Sequence, residues 1–177
     1  MEHVNAVMAI CRGTEKLTAD VPGVRFVYQQ ERLFVASEAQ VGENIALPVG
    51  QKIAIPQLGL EVSAEETVFR GEIHDLFKTL YLRCENITTV TLTGRRPGDR
   101  MRPSGRHCTK SLKSLFMEKG WTDVRRDTAV VIRDGDKILA VRGLAVDERA
   151  IPLPGDRVIR INFESVQEKR NQNAQGC

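Results

Sequence analysis

Long apolar runs are missing from these 177 residues, and no basic stretch leads into an apolar core near Met1. The chain is therefore expected neither to cross a membrane nor to be exported, and it reads as cytoplasmic. Cysteine is sparse. Cys11, Cys84, Cys108 and Cys177 are scattered and form no CxxC pair, so reduced thiols are expected; His107–Cys108 has no second ligand pair, and no metal site is expected. The three histidines lie far apart and no serine stands in a GxSxG elbow, so no catalytic residue is nominated. Aromatic residues make up only 5% of the chain. With Trp121, Tyr28 and Tyr81 assigned to the core or its margin, little surface is left for stacking unpaired bases.

Charge, by contrast, is concentrated. The formal net charge is only +3, yet residues 95–126 hold ten Lys and Arg against three Asp and Glu. The rest of the chain is mildly acidic. A surface field depends on clustering within about one Debye length, roughly 10 Å at moderate salt, so this local excess points to a polyanion more directly than the overall pI does.

The pattern along the chain predicts an α+β protein. Val4, Val7, Met8, Ile10 and Cys11 recur at helical spacing from Glu2 to Arg12, with Gly13 at the capping position. Short β-branched and aromatic runs follow, "VRFVYQQ", "RLFVAS", "NIALPVG", "QKIAIPQ" and "LGLEVS", and read as antiparallel strands separated by turns such as "VPGV". "SAEETVFRGEIHDLFKTL" fits a short helix or a connecting loop. Beyond Leu80 come extended runs, the basic segment, a helix, and two apolar runs flanking "RDGDK", a hairpin signal. Expected boundaries are 1–78 for a helix with strands, 79–164 for a second domain layering a β-sandwich with a helix, and 165–177 for a frayed polar tail.

Within "RRPGDRMRPSGRHCTKSLKSLF" (95–116), Pro97 and Pro103 stiffen the chain, and Gly98 and Gly105 permit turns. The loop should project Arg95, Arg96, Arg100, Arg102 and Arg106, with Asp99 free to pin one of them bidentately. A helix is expected from an N-cap at Thr109 to Lys119, ended by Gly120, burying Leu112, Leu115 and Phe116 and presenting Lys110, Lys113 and Met117 on another face. Lysines at a helix start oppose the macrodipole unless an anion binds there, so the first-turn amides with Lys110 and Lys113 suggest a phosphate site. Arg125 and Arg126 extend the basic set. Several phosphate contacts imply a nucleic acid, and a duplex backbone suits this surface better than unpaired bases. Asp147 and Glu148 in "VDERA" are expected to pair with Arg142 or Arg149, or to be solvated, rather than to form a carboxylate pair for acid–base work.

The run "RRPGDRMRPSGR…TKSLKSLF" followed by "ILAVRGLAVDERA" resembles the C-terminal region of the tRNA(Ile)-lysidine synthetase family, where "RxxGDRxxPxGxxxxKxLKxLF" precedes a "V-x-GL" segment. "EHVNAVMAICRG" and "VPGVRFVYQQERLFVA" are similar to that family's middle region. The resemblance implies an ATP-dependent ligase that joins lysine to the wobble cytidine of an isoleucine tRNA. Its catalysis belongs to an SGGxDS-bearing domain, and no such loop occurs here. What it implies for this chain is a tRNA-binding part that takes no cofactor itself. ATP, magnesium and lysine are then used by a separate catalytic domain, in cis or in trans. The alternative is a structural or protein-interaction domain that turns the same basic face toward an acidic partner.

Overall fold

The computed structural model describes the backbone of three strands between Leu17 and Ala36, then residue 41 and residues 44–166 except 73 and 86. The expected helix from Glu2 to Arg12, the "VPGV" turn centre and most of the polar tail lie outside the described residues. Strands β1 (Leu17–Val21), β2 (Val24–Gln29) and β3 (Arg32–Ala36) form an antiparallel meander in the order β1-β2-β3.

Two larger sheets follow. One has the order β5-β6-β14-β7, from Lys52–Ile55, Leu60–Val68, Arg157–Ser165 and Thr79–Arg83. The other has the order β13-β12-β11-β8-β4, from Ala145–Val146, Lys137–Val141, Val131–Asp134, Thr91–Thr93 and Ile45–Ala46. Alternation along the strands explains how they stack. Val62, Ala64, Leu80, Leu82, Ile159 and Ile161 of the first sheet share a core with Leu92, Ile132, Ala140 and Val146 of the second. On its other face Val131, Val141 and, beyond the irregularity in the β11–β12 register, Ile138 bury Leu112, Leu115 and Phe116 of helix α1 (Leu112–Glu118), with Met101 and Trp121. The result is sheet on sheet with a helical layer outside, as the α+β reading expected.

Two expectations change. "SAEETV" is neither helix nor loop: it is the second half of β6, which pairs with β14 over its whole length. That pairing also crosses the boundary expected at residue 78, since β5 and β6 complete a sheet with β7 and β14. The Asp134-Gly135 hairpin forms as expected between β11 and β12, but its two-residue loop is Gly135-Asp136, with Asp134 paired to Lys137 and Gly135 at φ 55°. Glycine at the first loop position is what a type II′ turn requires.

Candidate nucleic-acid interface

The basic segment leaves β8 and is organised by Asp99. Its Oδ2 accepts the Arg96 amide at 2.7 Å and the Arg133 guanidinium at 2.5 Å, and its carbonyl accepts the Leu112 amide at 2.9 Å. Arg133 comes from β11 and is 2% exposed, with Asp99 at 9%; its Nε also donates to Thr93 Oγ1 at 2.8 Å. Asp99 was expected to pin a loop arginine bidentately. Instead it pairs with a buried arginine from the sheet, and the loop guanidiniums go elsewhere. Sequence reasoning missed Arg133 because, in "VVIRDGD", it reads as an outward residue beside a turn. Alternation along β11, which stays in register with β8, puts it on the same face as Val131, the face that the helix covers.

The helix start also differs. Lys110–Ser111 forms a short strand, β10, paired with β9 (Arg100–Met101). The N-cap is therefore Ser111 rather than Thr109, its Oγ accepting the Ser114 amide at 3.1 Å. With the Leu112 amide on Asp99 and the Ser114 amide on Ser111, two first-turn donors already have partners. Lys110 is not on the helix, and its Nζ meets Glu118 Oε1 at 2.5 Å near the far end. The expected cradle of free amides with two helix-borne lysines is thus not built. The helix ends at Glu118, one residue before the expected Lys119, which is its C-cap; Gly120 follows at φ 63° and Met117 is exposed, as expected.

Most of the nominated cations have carboxylate partners. Arg95 meets Asp127 at 2.6 Å, Arg96 reaches Asn44 at 2.6 Å and Asp136 at 3.8 Å, and Arg126 meets Asp123 at 3.1 Å. Arg106 pairs with the same Glu118 that holds Lys110. These two contacts, Lys110 first and then Arg106, keep the Glu118 carboxyl below its ordinary range. Arg125, on helix α2 (Asp123–Asp127), lies over the Trp121 ring. Among the described residues, Arg100 and Lys113 are exposed and have no ion-pair partner.

One concavity of about 230 Å³ gathers Arg100, Met101, Arg102, Thr109 and Arg149. It exists because the loop is zipped to the segment after β13: Ser104 donates to the Val146 carbonyl at 3.0 Å and Glu148 to the Arg102 carbonyl at 2.8 Å. Asp147, fully buried, anchors both sides. Its carboxylate accepts the Arg102 amide at 2.9 Å and the Arg149 Nε at 2.7 Å. Burial pushes the Asp147 carboxyl up, but the bonds from the Arg149 side chain and from the Arg102 and Arg149 amides outweigh it and leave it below its ordinary value. Arg102 meets Glu148 at 2.8 Å. The expected pairing of Asp147 with Arg149 is present; Glu148 serves Arg102, and Arg142 serves neither. Arg149 belongs with the site residues, although its distance in sequence from the basic segment separates the two.

Among the described residues no group of His, Cys, Asp and Glu could hold a metal ion, and no helix is long and apolar enough to cross a membrane. Cys108 is exposed.

Comparisons with known proteins fall on this same region. Residues 90–163 are matched by the family model for the TilS substrate C-terminal domain. No curated protein matches the chain. Among solved structures, one described as the crystal structure of the TilS C-terminal domain is similar with a TM-score of 0.59 and 23% identity, covering 70% of this chain and 98% of its own. At that identity the likeness establishes the shared fold.

Proposed function

From the match of residues 90–163 to the family model for the TilS substrate C-terminal domain, we propose that this chain is the tRNA-binding part of a tRNA(Ile)-lysidine synthetase acting in the cytoplasm, and that its basic face holds the sugar-phosphate backbone of the tRNA body. The observation that supports this most is the concavity where Arg100, Arg102, Arg149 and Thr109 converge. Asp147 and Glu148 orient two of the three guanidiniums, which lowers the entropy lost when a phosphate arrives. Arg100, with no carboxylate partner, supplies net charge to that site, and Lys113 adds it from the exposed helix face. Arg95, Arg96, Arg106, Lys110, Arg125 and Arg126 surround this centre as a wider field. Ligation of lysine, with its ATP and magnesium, belongs in this reading to a separate catalytic domain.

The ion pairing of Arg95, Arg102, Arg106, Lys110 and Arg126 favours a second reading, in which the face serves a structural or protein contact. Binding to tRNA across a salt series separates the two. A backbone site loses affinity linearly in log–log form, with a slope near 0.7–0.9 per phosphate neutralised. Reversing Arg100 and Lys113 together to glutamate should weaken tRNA binding by more than about tenfold at fixed salt and leave the folded baseline intact. Unchanged affinity in that variant removes the assignment.

A further inference from the structure

Phe77 sits in the turn between β6 and β7 and is 46% exposed, yet the turn is tightly held. Asp75 Oδ1 accepts the amides of Phe77 at 3.0 Å and Lys78 at 3.2 Å, and the Phe77 carbonyl accepts Arg142 Nε at 2.9 Å. The Gly143 amide donates to the Leu76 carbonyl at 2.6 Å. A β-carbon on Gly143 would fall 2.3 Å from the Phe77 ring, so the ring rests against bare backbone. This large apolar side chain is held rigidly while remaining accessible to solvent.

Arg125 lies over it. Its guanidinium carbon is 5.2 Å from the Phe77 ring centre and 4.3 Å from that of Trp121, which is buried and stacked on Phe116. An exposed aromatic ring with an exposed guanidinium laid over it is a surface on which bases stack. The surroundings include three cations: Lys78 and Arg125 are exposed and Arg142 is half-buried, while Asp75 Oδ1 is engaged by backbone amides. The platform also adjoins the basic loop. Leu76 lines the same groove of about 450 Å³ as Arg106 and Lys119.

We propose that Phe77 and Arg125 form a stacking platform for an unpaired nucleobase of the RNA whose duplex backbone lies on the basic loop. The cations identify the occupant, because a stacked nucleotide brings a phosphate where an apolar peptide side chain brings none. This inference rests on the RNA-binding reading and adds a single-stranded element to it.

Two RNA hairpins of identical stem, one blunt and one with a short unpaired end carrying a fluorescent purine analogue, test it with the full chain. Wild-type protein should bind the overhang form about fivefold or more tightly and quench the analogue. Phe77→Leu should lose both effects while binding the blunt hairpin with unchanged affinity and salt slope, and Phe77→Tyr should restore them. Equal wild-type affinity for the two hairpins with no quenching overturns the platform and leaves backbone binding standing. A quench that persists in a folded Phe77→Leu protein also overturns it. Failure to bind either hairpin removes the RNA reading and the platform together.

Discussion

Replacing Arg133 by methionine should be the most damaging single change near the basic face. The guanidinium is 2% exposed and its partner Asp99 9% exposed, so neither charge is rehydrated when the other goes. Two unit charges about 4 Å apart at an effective dielectric of about 20 interact by roughly 4 kcal/mol. Removing one partner of a buried pair costs about 3–5 kcal/mol, largely through the charge left behind. Arg133→Met also removes the donor to Thr93 Oγ1, whose hydroxyl keeps its bond to the Gly94 carbonyl. A loss of this size is a large share of the roughly 5–15 kcal/mol that a domain commands. Asp99→Asn should cost a similar amount while keeping an acceptor for the Arg96 amide. The double variant should then be less destabilised than the sum of the two by about 2–3 kcal/mol. Urea unfolding followed by circular dichroism measures all three proteins. Single losses below about 1 kcal/mol, or additive losses, would refute the claim that this pair anchors the loop.

Glu118→Gln should raise RNA affinity and steepen its salt dependence by about one unit of slope or more, because it frees Arg106 and Lys110 together; filter binding at several salt concentrations reads this, and an unaltered slope contradicts it. His74 yields a pH prediction. Burial lowers its pKa below the ordinary 6.5, and its Nδ1 accepts the Tyr81 amide at 3.3 Å, which requires the neutral ring. The unfolded chain then binds the proton more readily than the folded one. Stability from this group is complete above about pH 6.5 and is lost as pH falls through the lower folded value. Melting temperatures across that range should decline in wild type more than in His74→Gln, and equal declines would show that His74 is not the group responsible.

The layered α+β plan was legible because its signals are local: the short apolar runs in "AVVIRD" and "KILAV", the Asp-Gly hairpin between them, and i, i+3, i+4 spacing of Leu112, Leu115 and Phe116. Long-range pairing was not. "SAEETV" carries three polar side chains in a row, Ala64 being followed by Glu65, Glu66 and Thr67, so it lacks an intrinsic strand pattern and becomes one through its nine-residue match with β14. The helix start moved from Thr109 to Ser111 for the same kind of reason: pairing of Lys110 and Ser111 with β9 outcompetes another helical turn. At the candidate site, composition located the cations, but their partners depended on tertiary placement. Glu118, Asp127 and Glu148 lie 12, 32 and 46 residues from Arg106, Arg95 and Arg102, beyond any motif. Phe77 was hidden because an exposed phenylalanine and a core one look alike in sequence.

Strand β14 has a consequence for how this protein comes into being. It sits between β6 and β7, about ninety residues after the one and seventy-five after the other, and hydrogen-bonds to both. A ribosome delivers it after both neighbours, so until it emerges each of them presents a bare, apolar-faced margin to the cell. Closure over such separations is slow and exposes nascent chains to sticking. Chaperones met before that strand is threaded home therefore bear on how much of the chain reaches its folded state.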